Sequence, residues 1–265
     1  MFDSEEVKNK MKRNTALIAC CLAMVCLMAS SVQLVQAAGD VQILSHSSFY
    51  TSLNTLYIVG EVQNTGDTST EFTKVTATLY DSEDTVIDTA VGYATLDILP
   101  PGRKSPFYVM ILEDDGSLDV DHYSLTVSWS DADEEKEQAL EILSSSSHIG
   151  GGDYFHVTGE IKNIGSATAN EVIISATFYD SDGTVVGRDW EYAEPENLSP
   201  DQTGTFDVTL IYSEQIAKVA SYSLSAESQE YAMVPEFATW TSLVVAAAFV
   251  AFAAVVYKKK LQTKK

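Results

Sequence analysis

From Val41 onward, apolar and polar positions alternate in short runs. Leu56, Ile58 and Val62 are set off by polar or small neighbours; Val75, Ala77 and Leu79 share one parity, as do Phe107, Val109 and Ile111, and Leu125 and Val127. A period of two puts successive side chains on opposite faces of a strand, so each run predicts a strand with one face buried. Between runs stand turn residues such as Asn64-Thr65-Gly66 and Asp180-Ser181-Asp182-Gly183, which accept positive φ at little cost. Runs of this kind at intervals of roughly ten to fifteen residues predict an all-β chain built as antiparallel β-sandwiches of about seven strands. Helical or membrane-type patterns are confined to the two ends.

The pattern occurs twice. Ile43-Leu44-Ser45 returns as Ile142-Leu143-Ser144, and Gly60-Glu61-Val62-Gln63-Asn64-Thr65-Gly66 as Gly159-Glu160-Ile161-Lys162-Asn163-Ile164-Gly165. Ala77-Thr78-Leu79-Tyr80-Asp81-Ser82 returns as Ala176-Thr177-Phe178-Tyr179-Asp180-Ser181, and Tyr123-Ser124-Leu125 as Tyr222-Ser223-Leu224, always 99 positions later. A register held without insertion or deletion predicts two tandem copies of one fold, residues 41–129 and 140–228. Residues 130–139 between them hold five acids and one lysine. Their mutual repulsion predicts a solvated, extended linker with the copies strung end to end.

The order Gly-x-Val-x-Asn-x-Gly, then Leu-Tyr-Asp, Leu-x-Pro and Phe-x-Val resembles the FxLYD domain, an immunoglobulin-like module of prokaryotic surface proteins. The match falls on Gly60, Asn64, Gly66, Leu79, Tyr80, Asp81, Leu99, Pro101, Phe107 and Val109 in the first copy. In the second it falls on Gly159, Asn163, Gly165, Tyr179, Asp180, Leu198, Pro200, Phe206 and Val208. Ala77 and Ala176 stand where the motif has its naming phenylalanine, and Phe178 replaces the leucine. The resemblance implies two Ig-like sandwiches and a surface location, and it brings no catalytic residues with it.

The ends carry a different pattern. Lys12 and Arg13 precede an uncharged apolar run over residues 15–28, followed by small residues and Val35-Gln36-Ala37-Ala38. A basic start, a short apolar core and small residues at a cleavage site predict a secretory signal peptide over residues 1–37, with either Met1 or Met11 as the start; an uncleaved anchor is the other reading. Cys20, Cys21 and Cys26 all lie in that run, so cleavage leaves no cysteine for a disulfide or a thiolate. Leu17-Ile18-Ala19-Cys20 matches a loose lipoprotein box but sits at the start of the apolar run instead of its end. Residues 238–257 form an uncharged stretch followed by Lys258-Lys259-Lys260. At about 1.5 Å per residue it is long enough to cross a bilayer, predicting a transmembrane helix with residues 258–265 as a basic cytoplasmic tail. Pro235-Glu236-Phe237, the apolar span and the lysines together resemble the PEF-type sorting signals of archaeal surface proteins. That resemblance implies cleavage by an archaeosortase-type enzyme; a retained helix is the alternative.

Charge sharpens this division. The 265 residues hold 38 acids and 16 basic residues, a net charge of −22. Nine of the basic residues lie in the two ends, so residues 38–257 carry 35 acids against seven basic residues, or −28. That excludes a nucleic-acid partner, which needs a basic face. The partners expected are a membrane crossed once and an unidentified surface protein or glycan.

Candidate chemistry is sparse. Asp114, Asp115, Asp119 and Asp121 fall within eight residues of one predicted loop, a carboxylate density suited to calcium, though without EF-hand spacing and without a counterpart in the second copy. His148 and His156 would approach each other if their strands pair, with no third metal ligand apparent. The serines 144–147 beside His148 lack a nucleophile elbow. Asn197-Leu198-Ser199 is a glycosylation sequon weakened by Pro200. No catalytic residues and no cofactor are assigned. The pattern fits a non-catalytic, membrane-anchored cell-surface protein used for binding, adhesion or envelope scaffolding. The alternative is an accessory subunit of an extracellular enzyme or transport complex.

Overall fold

The computed structural model describes residues 40–112 and 120–234. The expected signal peptide, transmembrane span and basic tail, together with the Pro-Glu-Phe motif and three of the four clustered aspartates, lie outside the described residues.

The first copy is a sandwich of β1 (Val41–Tyr50), β2 (Thr55–Asn64), β3 (Thr70–Tyr80), β4 (Val86–Tyr93), β5 (Ile98–Leu99), β6 (Lys104–Leu112) and β7 (His122–Asp131). One sheet runs β1-β2-β6; in the other β3 pairs with β4, β5 and β7, and every pairing is antiparallel. The second copy consists of β8 (Glu137–Ile149), β9 (Phe155–Asn163), β10 (Ile173–Tyr179), β11 (Val185–Tyr192), β12 (Thr203–Leu210), β13 (Ser221–Glu227) and β14 (Tyr231–Met233). Here β14 pairs with β13 and, in parallel, with β8, so one edge of the sandwich is stitched shut. Among the described residues helix is limited to single turns at Gly151–Asp153 and Ser213–Ile216.

The alternation read from the sequence is the burial pattern. Ile58, Val62, Val75, Leu79, Phe107 and Val109 are fully buried in the first core; Ile161, Ile174, Phe178, Leu198 and Val208 are fully buried in the second. The 99-residue register extends to the backbone. The β-bulge at Ile43/Ser45 recurs at Ile142/Ser144, and the one at Leu79/Tyr80 at Phe178/Tyr179. Positive φ at Asn54, Phe72, Asp84 and Gly102 recurs at Asp153, Glu171, Gly183 and Asp201.

The most strongly repeated residues have identifiable structural work. Asn64 is buried, and its side-chain amide donates to the carbonyls of Thr68 (2.7 Å) and Leu99 (2.8 Å) while its Oδ1 accepts from Gly66 N (2.9 Å). Asn163 repeats the set with Ala167, Leu198 and Gly165. Each asparagine thus closes its own turn and ties it to the strand entering from the other side of the sandwich. Asp81 and Asp180 each cap a hairpin turn by accepting two backbone N–H groups, from Glu83 and Thr85 and from Asp182 and Thr184. At Gly60 and Gly159 the limit is space. A Cβ there would lie 2.4 Å and 2.5 Å from the rings of Phe107 and Phe206 and would press on the carbonyls of Ser45 and Ser144.

The copies are not strung end to end on a spacer. β7 runs to Asp131 and β8 begins at Glu137, and the ammonium of Lys136 is held 2.9 Å from the buried Glu227 carboxylate. The two copies also touch directly. The outer face of the β1-β2-β6 sheet packs against β11, where Phe49 and Val59 form a small core with Val185, flanked by Tyr57, Tyr179 and Tyr212. Apolar burial at this contact outweighs the acidic repulsion expected of the linker, which surface screening weakens to begin with.

Candidate functional site

The contact between the copies is built from residues of both, and it frames a cleft. β11 is an edge strand, and an edge strand needs partners for its outward backbone groups. Two serines of β1 supply them. Ser45 Oγ accepts from Val185 N (3.0 Å), and Ser47 Oγ donates to Val185 O (2.6 Å). Further along, Phe49 stacks on Tyr57 with ring centroids 5.6 Å apart and tilts against Tyr212 at 5.1 Å. Burial pushes the Tyr212 hydroxyl up to about 12, helped by a hydrogen bond with Tyr57 and by nearby negative charge from Asp189.

Two buried glutamates latch the copies together. Glu61, 2% exposed, takes Lys104 Nζ at 2.9 Å from its own copy and the Tyr179 hydroxyl from the other. Tyr179 is pushed far above the usual phenol range, first by burial and then by that carboxylate. In the reverse direction, Glu227 of the second copy accepts the backbone N–H groups of Asp97 and, at 3.4 Å, Ile98, together with Lys136 Nζ. Burial raises the carboxyl of Glu227; Lys136 and the Asp97 N–H oppose that, while the Asp97 carboxylate adds to it. Removing one member of such a buried pair strands the other charge, so these latches fix one relative placement of the copies.

Above Glu227 the copies part into a cleft of about 500 Å³. β4 contributes Val91 and Tyr93, β6 Tyr108 and Met110, and β11 Arg188, Trp190 and Tyr192; Asp97, Glu171, Lys136 and Glu227 are at its polar end. Residues 188, 190 and 192 line it together because a strand returns to the same face every second residue. Trp190 and Tyr192 meet edge to face at 5.3 Å and 89°, leaving aromatic surface open, and Tyr93 is 57% exposed. Arg188 lies with its guanidinium 4.7 Å above the ring of Tyr108 and donates to Thr95 Oγ1 (2.5 Å). Its Nε is buried without a partner, and burial lowers its pKa. The cleft was not foreseen from sequence, because its walls come from positions about a hundred residues apart.

The residues singled out by sequence lie elsewhere. Asp121, the described member of the aspartate cluster, is exposed and has its Oδ2 3.0 Å from His122 Nδ1. His148 and His156 do face each other across β8 and β9 and stack at 5.1 Å. His156 Nδ1 is bound at 2.9 Å by Asp207 and also meets Thr209. Among the described residues no group of three His, Cys, Asp or Glu is placed to hold a metal ion. Of the serines, Ser145 bonds Tyr222 and Ser146 bonds Thr158, both on the strand surface. Asn197 is exposed, with its Oδ1 accepting from Glu171 N (2.9 Å).

No family model matches the chain, and no curated protein does. Among solved structures it is similar to the exo-chitosanase CsxA of Amycolatopsis orientalis, with 14% identity over 72% of this chain and 26% of that one, at a TM-score of 0.26. Red sea bream transglutaminase is similar at 7% identity over 77% and 31% of the two chains, with a TM-score of 0.22. The chain spans about a quarter to a third of the length of these proteins, and likenesses of that size assign it no function.

Proposed function

We propose that this chain is a non-catalytic, membrane-anchored cell-surface protein whose two Ig-like modules, of FxLYD type, form one fused acidic body for binding or envelope scaffolding. The observation that carries the reading is the pair of buried latches, Glu61 with Tyr179 and Glu227 with Asp97. They make a single unit of two repeats that stand, in the sequence, between a secretion signal and an apolar span followed by lysines. A fused pair presents a larger fixed surface than two loose modules, and fixed surfaces suit binding because less freedom is lost on association. The signal peptide and the span set the topology of this reading: residues 38–237 outside, one crossing, and the lysine tail inside.

The test is protease shaving of intact cells producing the chain with one epitope tag after Asp40 and another at the C-terminus. Loss of the first tag with retention of the second is the expected result. Protection of both until the cells are lysed would overturn the surface assignment.

A further inference from the structure

Resting on the reading of this body as a binding unit, we infer that the cleft between the copies binds an arginine or lysine side chain from an extended basic segment of a partner protein. Its aromatic walls and its charge point to the same ligand. Trp190 and Tyr192 stand at right angles, and Tyr93 lines the same cleft from the other copy. Aromatic faces carry the negative part of the ring quadrupole and attract a cation set above them. The cleft already contains one such contact, Arg188 over Tyr108 at 4.7 Å, so its rings accept a guanidinium in this environment.

The charge balance leaves room for a second cation. Both basic groups of the cleft are engaged, Lys136 by Glu227 and the Ser228 carbonyl, Arg188 by Thr95 and Tyr108. The carboxylates of Asp97 and Glu171 form no ion pair among the described residues. The −28 of residues 38–257 adds a field that gathers cations from a distance. A neutral sugar could stack on the same rings but would leave those carboxylates uncompensated.

The experiment is a titration of the full chain, held in neutral detergent micelles, with the capped peptide Gly-Arg-Gly-Arg-Gly. Its twin with citrulline for arginine keeps the shape and removes the charge, and a neutral glucose hexasaccharide serves as the other ligand class. The arginine peptide should bind with saturation, at least about tenfold more tightly than the citrulline twin. Trp190→Ala and the double variant Asp97→Asn/Glu171→Gln should each weaken it by about fivefold or more, whereas Trp190→Phe should retain most of the binding. Far-UV circular dichroism establishes that the variants are folded. Equal binding of the two peptides, indifference to Trp190→Ala, saturable binding of the sugar alone, or no binding of the arginine peptide up to about 10 mM would each overturn the inference. The shaving result above is independent of these outcomes, so failure of this site leaves the surface assignment standing.

Discussion

Asn64 and Asn163 allow the repeat to be tested as a physical statement, because the same perturbation can be made twice in one molecule. Each side chain is 0% exposed and makes three hydrogen bonds of 2.7–2.9 Å. Replacing either by alanine removes two donors from carbonyls, one of them buried (Leu99 or Leu198), and one acceptor from a half-buried N–H. With each bond contributing about 1 kcal/mol net, and more where the group left behind stays dry, each variant should lose about 3 kcal/mol. For a body of this size that lowers Tm by roughly 6–12 °C. Asparagine to aspartate should be worse than to alanine at neutral pH, because a buried carboxylate would then face the same two carbonyls with no proton to donate. Urea unfolding followed by far-UV circular dichroism measures the loss, and an unchanged m-value certifies that stability has changed and not the extent of unfolding. Since the latches couple the copies, Asn64→Ala and Asn163→Ala should shift one common transition by similar amounts. A loss below about 1 kcal/mol in either variant would refute the assigned role of that asparagine.

Three further outcomes follow from the contact and the packing. Burial raises the Glu227 carboxyl above its unfolded value, so the folded state binds that proton more tightly; the stability it contributes is present below the unfolded carboxylate pKa and is lost as pH rises through the raised one. Wild type should therefore gain Tm relative to Glu227→Gln as pH falls from about 7 toward about 4, and a constant difference across that range would contradict the assignment. Phe49→Ala should cost about 3 kcal/mol and split the calorimetric transition in two, since Phe49 anchors the apolar contact between copies; one unshifted transition would show that Phe49 does not carry the coupling. Gly159→Ala places a methyl group 2.1 Å from the Ser144 carbonyl oxygen and should lose at least about 2 kcal/mol, while Gly151→Ala, with open space around it, should stay within about 0.5 kcal/mol of wild type; chemical denaturation of the pair reads the contrast.

What the sequence made legible was whatever depends on neighbours along the chain. Alternation at Val75, Ala77 and Leu79 predicts which face is buried because the strand period is fixed, and a constant offset of 99 predicts two equal sandwiches because any slip would exchange core and surface. The turn chemistry of Asp180 to Gly183 is equally local. The cleft was not legible, since Tyr93, Tyr108 and Trp190 are brought together only by the way the copies pack, and aromatic residues on outward parity look like scattered surface residues. The linker misled for a related reason. Its acids suggest extension, yet Lys136 is the residue that decides its path, and its partner Glu227 lies 91 positions away.

A signal for the contact does exist in the sequence, in the places where the copies differ. The face of the first copy that meets β11 presents Phe49, Tyr57, Val59, Tyr108 and Met110; the positions 99 later are His148, His156, Thr158, Asp207 and Thr209. The second set is polar and solvent-facing, with His156 and Asp207 paired to each other instead of to a neighbour. The contact is heterologous, a sheet face of one copy against an edge strand of the other, and a contact of that kind propagates into a chain unless one of its halves is withdrawn. Polar residues on the second copy's face withdraw it from a contact of the same kind. The other half, the β4 edge of the first copy, keeps Val86, Val91 and Tyr93 exposed. Residues that differ between otherwise matched repeats thus mark the surfaces given separate tasks. By the same comparison Trp190 replaces Val91 and Arg188 replaces Thr89, which puts one tryptophan and one arginine of the cleft on the copy whose β11 edge is docked against the other, facing Tyr93 and Tyr108 of the first.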